Sequence, residues 1–162
     1  MITSEDKKKL DTLIEQLLPK EWFEGAASLT VDDEELLVVG TLHADSPGGG
    51  DVSAFREETR EARMRIADAV QPATGRSLAW GVRTGDTTTV FTSLAVPVMT
   101  RLRISERETL DTLVAAGVAR SRSDALAWCA RFVAQEQGTW LEELRGSLDT
   151  VSAVRAKGPS IS

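Results

Sequence analysis

Residues 96–133 have the sequence VPVMTRLRISERETLDTLVAAGVARSRSDALAWCARFV, from which the organisation of the C-terminal part of the chain can be read. In residues 98–105, apolar side chains alternate with Met99, Arg101 and Arg103. Successive side chains of a strand point to opposite faces, so this alternation predicts a short strand with one face buried and one face cationic.

Two short helices are predicted after this strand. Ser105 followed by Glu108 has the spacing of a capping box, and Gly117 suits the C-terminal end of the helix that the box opens. Ser121 followed by Asp124 is a weaker capping box that opens the second helix. One strand and two short helices are too little to make a core, so we expect the unit to pair with a second copy of itself. The paired strands would then present a basic ribbon to a DNA groove.

This order of elements resembles the ribbon-helix-helix family of DNA-binding proteins. The likeness is carried by TRLR (residues 100–103), LDTLVAAG (residues 110–117) and SRSDAL (residues 121–126), and covers about a quarter of the chain. It implies a homodimer that inserts a two-stranded antiparallel ribbon into the major groove of double-stranded DNA. It also implies that backbone N–H groups at the start of the second helix hold a DNA phosphate.

The first helix is about two residues shorter than is usual in that family when Gly117 is taken as the anchor. Either the helix has lost half a turn or the strand ends near Leu102. Because strand side chains alternate with a period of two, Met99 and Arg101 point outward in both registers, whereas Arg103 does so only in the longer strand. Arg101 is therefore the first candidate for contacting DNA.

The candidate DNA-binding residues form two groups. On the strand, two arginines on one face can contact guanine or phosphate and a methionine can touch a thymine methyl; the alternative is a solvated edge strand. At the second helix, arginines beside the N terminus can bind phosphate; the alternative is ordinary capping by a serine. The candidates are Met99, Arg101, Arg103, Arg120, Ser121, Arg122 and Ser123.

The second helix is expected to be apolar over most of its circumference, and such a helix needs partners on several sides. Each large side chain that is buried contributes about 1.5–3 kcal/mol, so an exposed surface of this kind is costly. The first helix can cover one face and a symmetry mate the other; the alternative is burial against the N-terminal part of the chain. The expected dimer interface comprises Val98, Leu102, Leu126, Trp128, Cys129, Phe132 and Val133.

The chain is expected to be α+β, with residues 1–95 as an acidic α+β domain of unknown role. Residues 96–137 would form the β-α-α unit that resembles ribbon-helix-helix proteins. Residues 138–162 would form an amphipathic helix, opened by a capping box at Thr139 and Glu142, and a tail from Gly158-Pro159. The N-terminal domain is predicted to contain helices at 4–18 and 52–70 and strands near 27–31 and at 35–42, 76–83 and 87–94. Residues 43–51 are predicted to form a flexible loop. The helix at 52–70 is expected to bury a stripe of Phe55, Ala62, Ile66 and Ala69.

The charge is divided unevenly along the chain. Residues 1–95 carry 10 Lys+Arg and 17 Asp+Glu, a net charge of −7, whereas residues 96–162 carry 9 and 8, a net charge of +1. The acidity therefore belongs to the N-terminal part. The mildly basic C-terminal part permits DNA binding but does not by itself indicate it.

The residue types present argue against several classes of protein. The single cysteine, Cys129, excludes an intramolecular disulfide, and His43 lacks a third convergent metal ligand, so we expect no metal and no cofactor. No catalytic spacing is present, so we expect no enzyme, and no apolar run suits a membrane or a secretion signal. Arg56, Arg60 and Arg63, interspersed with glutamates, suggest either an ordinary exposed helix face or, less simply, a surface for an anionic partner.

The sequence therefore predicts a cytoplasmic, homodimeric transcriptional regulator, associated with the nucleoid when DNA is bound. Its N-terminal domain would sense a ligand, recruit a protein or add a dimer contact, and the sequence does not distinguish among these three roles. The competing prediction is a dimeric protein-interaction module that does not bind DNA.

Overall fold

The computed structural model describes residues 4–158, which divide between Val96 and Pro97 into two compact units. Helices and strands both contribute, which confirms the α+β class. In the first unit, the described residues form α1 (Ser4–Leu17), β1 (Ser28–Val31), β2 (Glu35–Thr41), α2 (Val52–Glu58), α3 (Arg60–Thr74), β3 (Ser77–Thr84) and β4 (Thr87–Val90).

The strands form a sheet in the order β1-β2-β3-β4, as far as the described residues extend. The outer pairs are antiparallel, and the central pair, β2 and β3, is parallel. Parallel neighbours need a crossover connection, which α2 and α3 provide.

The core of the first unit lies on one face of this sheet. Leu36 and Val38 are fully buried and have Leu78 and Trp80 as their partners on β3. The complete buried cluster is Ile14, Trp22, Phe23, Leu29, Leu36, Val38, Leu42, Phe55, Ile66, Val70, Trp80 and Val82. Burial alternates along β2, although its sequence, ELLVVGT, is a nearly continuous apolar run.

The helix predicted at residues 52–70 differs from the structure in three respects. It is interrupted at Thr59, whose hydroxyl donates to the carbonyl of Phe55 at 2.6 Å, and it continues to Thr74. Ala69 is exposed, so its assignment to the buried stripe is wrong. The stripe instead continues through Ile66 to Val70, and Arg63 is also buried.

The segment predicted to be a flexible loop, residues 43–51, instead forms a hydrogen-bonded turn. Its centre, Pro47–Gly50, is a short 3-10 turn in which Gly48 and Gly49 have positive φ angles. The buried Ser46 hydroxyl donates to the carbonyl of Trp22 at 2.9 Å and accepts the N–H of His43 at 3.0 Å. Hydrogen bonds from the buried Ser46 to two backbone groups thus fix the turn.

The second unit is helical throughout its regular structure in the described residues, with α4 (Ile104–Ala115), α5 (Arg122–Glu136) and α6 (Gly138–Ala156). The predicted strand at 98–105 is therefore wrong for the isolated chain. Residues 92–103 lie in no helix or strand, and Ser105 is inside α4.

The two predicted capping boxes outside α5 are also wrong. The helix α4 begins after Arg103, and the backbone N–H of Arg103 donates to the carboxylate of Glu106. Arg103 and Glu106 have the same three-residue spacing as Ser105 and Glu108, but they lie two positions earlier in the chain. The helix α6 begins at Gly138, before Thr139, so Thr139 cannot be its N-cap. Of the predicted tail, residues 159–162 lie outside the described residues.

Candidate nucleic-acid interface

The segment that precedes α4 carries the first group of candidate residues. Val98 is 85% exposed and Met99 is 97% exposed. The backbone groups of residues 98–101 form no hydrogen bond with any residue that the structure describes. Leu102 is half-buried and packs on a small core made by Leu110, Ala119 and Ala125. The segment is thus anchored at Leu102, and the backbone of residues 98–101 before it is unpaired in the described chain.

The guanidinium groups of Arg101 and Arg103 on this segment have no acidic partner in the described chain. Arg101 and Arg103 are exposed, and neither forms an ion pair within the described residues. A neighbouring arginine has a different role: Arg107 Nη1 donates to the carbonyl of Leu102 at 2.6 Å. Arg107 thereby fixes the point at which the segment joins α4, a contact that the sequence pattern did not reveal.

The second group lies at the N terminus of α5, where the predicted cap is confirmed. The hydroxyl of Ser121 accepts the N–H of Asp124 at 3.2 Å, and the carboxylate of Asp124 accepts the N–H of Arg120 at 2.9 Å. Ser123 is exposed beside them. A carboxylate therefore already lies at this positive helix end, where it would compete with a phosphate.

Arg122 is the one member of the second group with an ion-pair partner among the described residues. Its Nε and Nη2 donate to Oδ1 and Oδ2 of Asp111, each at 2.6 Å. The hydrogen bond from Arg122 lowers the pKa of Asp111, and the same contact raises the pKa of Arg122. Its positive charge is therefore largely compensated within the unit. Arg107 and Arg122 both line an open cleft of about 640 Å³ on α4 and α5.

The expected dimer-interface residues divide into two sets. Leu102, Leu126 and Cys129 are half-buried and pack on the small core of their own unit. The other set faces outward: Val98 is exposed, as are Phe132 (47%) and Val133 (45%), and the half-buried Trp128 stacks on Phe132 with ring centroids 5.3 Å apart. The second set is available to a partner.

A further apolar surface lies on α6. Trp140, Leu144, Leu148 and Val151 recur at intervals of four, four and three residues, and each is exposed. This spacing places them on one face of the helix. An apolar stripe of this length on a solvent-exposed helix is typical of a protein contact.

Metal sites and membrane-spanning helices are both absent from the described residues. Residues 4–158 contain no group of three or more His, Cys, Asp or Glu side chains arranged to hold a metal ion. Among the helices in this range, none combines the length and apolar character needed to cross a membrane.

Comparison with known proteins identifies relatives in mycobacteria. Residues 8–90 match the family model described as the N-terminal domain of Rv1265-like protein, and residues 103–155 match the one described as the Mb1296 C-terminal domain. The uncharacterized proteins Mb1296 of Mycobacterium bovis and Rv1265 of Mycobacterium tuberculosis are each 49% identical to this chain over 152 residues, which is 89% of this chain and 67% of the relative. No solved structure matches the chain significantly. Because the N-terminal model spans about half of the chain and the relatives are aligned over two thirds of their length, the chain belongs to the Rv1265-like protein family.

Proposed function

We propose that this protein is a homodimeric, sequence-specific DNA-binding protein that regulates transcription. The observation that carries the proposal is the segment at residues 98–101, which has exposed arginine and apolar side chains and no backbone partner in the described chain. Unpaired backbone of this kind pairs readily with another strand. A second copy would supply that strand, and the paired segments would form the ribbon that enters the major groove.

The small core of the second unit supports pairing with a second copy. Its buried cluster contains only Leu110, Ala119 and Ala125 within the described residues, with Leu102 and a few others partly buried around it. A unit of about 60 residues with so few buried side chains has little to offset its conformational entropy. Burial of the outward set around Phe132 by a symmetry mate would enlarge the core.

The charge distribution indicates which arginines would contact DNA. Arg122 is paired with Asp111, and the carboxylate of Asp124 occupies the start of α5. Arg101 has no such partner in the described chain and follows the exposed Met99. We therefore assign the larger contribution to Arg101 and a smaller, positioning contribution to the end of α5.

A matched pair of arginine variants tests DNA binding. We expect Arg101→Ala to weaken specific binding by about 5- to 150-fold and to reduce the salt slope by about one, because a bidentate base contact or a phosphate contact is lost. Arg145→Ala removes the same charge from α6, where Arg145 pairs with Glu142, and should change affinity less than about two-fold. Gel-shift titration at two salt concentrations measures both. If Arg101→Ala left both the affinity and the salt slope unchanged, the proposed contact between the ribbon and DNA would be contradicted.

Association is tested separately from DNA binding. Phe132→Asp places a charge in the outward set and should convert the dimer to a monomer, as measured by light scattering. Met64→Asp introduces the same charge at an exposed apolar position in the first unit and should leave the mass of the assembly unchanged. A monomeric parent protein would contradict the proposal directly.

The second candidate function is a dimeric protein-interaction module that does not bind DNA. It is favoured by the compensation of Arg122 and by the carboxylate of Asp124 at the helix end, both of which oppose phosphate binding. Retention on random-sequence DNA at low salt separates the two candidates. A DNA-binding protein is retained and elutes with salt, whereas the interaction module flows through.

A further inference from the structure

A cleft of about 500 Å³ in the first unit lies beside α2, α3 and the strand β3. Three arginines, Arg56, Arg60 and Arg63, line it together with apolar side chains. The apolar part of the lining includes Met64, Leu78 and Phe91. The sequence pattern favoured an ordinary exposed face for these arginines over a surface for an anionic partner, but the fold gathers them around one concave surface.

Arg63 is the buried member of this group. Its Nε donates to the hydroxyl of Thr59 at 3.0 Å, and its Nη2 donates to the carbonyl of Arg56 at 2.7 Å. Both acceptors are uncharged. Burial is the main cause that lowers the pKa of Arg63, and repulsion from Arg56 is the second. Its Nη1 donates to no described residue, so one end of the guanidinium keeps its hydrogen-bonding capacity.

An aromatic ring holds two of the cations close together. The guanidinium carbon of Arg63 lies 5.1 Å from the ring centroid of Phe91, and that of Arg56 lies 5.8 Å from the same centroid. Cation–π attraction to the ring faces offsets part of the repulsion between the two groups. It supplies no negative charge, however, so the positive potential in the cleft persists.

The charge of the lining is unbalanced. Glu57 is the single carboxylate among the lining residues, so three arginines and one glutamate leave a net charge of +2. Arg56, Arg60 and Arg63 form no ion pair with any residue in the described part of the chain. Converging arginines that outnumber the carboxylates of a concave site favour binding of an anion.

We propose that this cleft binds a small organic anion, whose carboxylate or phosphate head contacts the arginines while its apolar body lies against Met64 and Leu78. The volume falls within the range of ligand pockets, roughly 300–1,000 Å³. The planar guanidinium group suits both kinds of oxyanion. A purely structural role for Arg63 at the end of α2 explains why its Nε and Nη2 are bonded to Thr59 and Arg56. That role explains neither the Nη1 of Arg63, which has no acceptor in the described chain, nor the presence of Arg60 at the same surface.

The test uses the full chain labelled with ¹⁵N and four probes: 1-naphthyl phosphate, 2-naphthoate, 2-naphthol and inorganic phosphate. We expect at least one of the two aromatic anions to shift the Nε–H signal of Arg63 and the indole signal of Trp80 in a saturable manner. Naphthol, which lacks the charge, and inorganic phosphate, which lacks the body, should bind more weakly. Comparison of the phosphate and carboxylate probes identifies the preferred head group.

Exposed arginines are varied because replacement of the buried Arg63 would disturb the junction of α2 and α3. Arg56→Gln and Arg60→Gln should each weaken binding of the aromatic anion by about five-fold. Arg65→Gln, at an exposed position of α3 outside the cleft, should not. Absence of saturable shifts with both aromatic anions would overturn the proposal, as would equal weakening by all three variants or equal affinity for inorganic phosphate. None of these outcomes depends on DNA binding.

Discussion

Arg122, the first residue of α5, is joined to Asp111 of α4 by two parallel hydrogen bonds of 2.6 Å. The two residues are eleven positions apart and lie on either side of the turn at Gly117, which has a φ of 75°. The guanidinium fork matches the carboxylate geometrically, so the pair fixes how the two helices meet. Both side chains are about half exposed, and solvent therefore screens the attraction.

The ion pair should behave as one interaction in a double-mutant cycle. We expect Asp111→Asn and Arg122→Gln each to lower the thermal midpoint slightly, and the double variant to lose less than the sum of the two single losses. Thermal unfolding of the four proteins followed by circular dichroism measures the coupling. Strictly additive losses would show that the contact contributes nothing to stability.

The same contact gives stability a pH dependence of known sign. Because the pKa of Asp111 is lower in the folded chain than its ordinary value of 3.8, the unfolded state binds more protons near that pH. The stabilisation is complete above the unfolded value and is lost as the pH falls through the lower, folded value. Urea midpoints at about pH 6 and about pH 2 should therefore differ more in the parent than in Asp111→Asn. An identical difference in both proteins would contradict this assignment.

Asp32 contributes to acid sensitivity in the same direction. Its carboxylate accepts the backbone N–H groups of Glu34 (2.8 Å) and Glu35 (2.6 Å), and these hydrogen bonds lower its pKa. Asp32→Asn keeps an acceptor but removes the titration, so the acid-induced loss of stability should again become smaller. Asp86→Asn, in the turn between β3 and β4, serves as the control with the same loss of charge.

Local patterns in the sequence were sufficient for the elements whose partners are near in the chain. The apolar spacing and Pro19 locate α1, and a short run of mostly apolar residues locates β2, because each signal reports burial against a neighbouring layer. The start of α4 was misplaced because arginine is not a preferred N-cap residue, so the sequence pointed to Ser105, whereas in the structure Glu106 bonds back to the N–H of Arg103.

The candidate sites were less accessible to sequence reasoning because they depend on contacts distant in the chain. The partner of Arg122 follows from the packing of α4 on α5, not from a helical interval. The burial of Arg63 involves its contacts with the hydroxyl of Thr59 and with the ring of Phe91, which is 28 positions away in the chain. Residues 98–101 have no backbone partner in the described chain, and the pairing that we propose for them needs a second chain, which no pattern within one chain reveals.

The glycine turn before α2 provides a test of backbone constraint. A Cβ on Gly48 would overlap the backbone nitrogen of Phe55 and lie 2.7 Å from the carbonyl carbon of Ala54, whereas a Cβ on Gly49 would meet nothing within 4 Å. Both residues have positive φ, so both alanine variants carry left-handed strain of about 1–2 kcal/mol. We expect Gly48→Ala to lose a further ~1–3 kcal/mol from the clash. Urea unfolding measures the difference, and equal losses would show that the turn relaxes.

The hydroxyl of Ser46 should stabilise the first unit more than its size suggests. Ser46 is 3% exposed and bonds to the N–H of His43 and the carbonyl of Trp22, so Ser46→Ala removes a partner from one partly buried and one buried backbone group. We expect a loss of about 1–3 kcal/mol in the free energy of unfolding. Ser28→Ala removes an exposed hydroxyl that bonds to the carbonyl of Val39 at 3.1 Å, and water can replace it, so the loss should stay below about 0.5 kcal/mol. If Ser46→Ala were as mild as Ser28→Ala, water would have to enter the turn, and hydrogen exchange at His43 would reveal that entry.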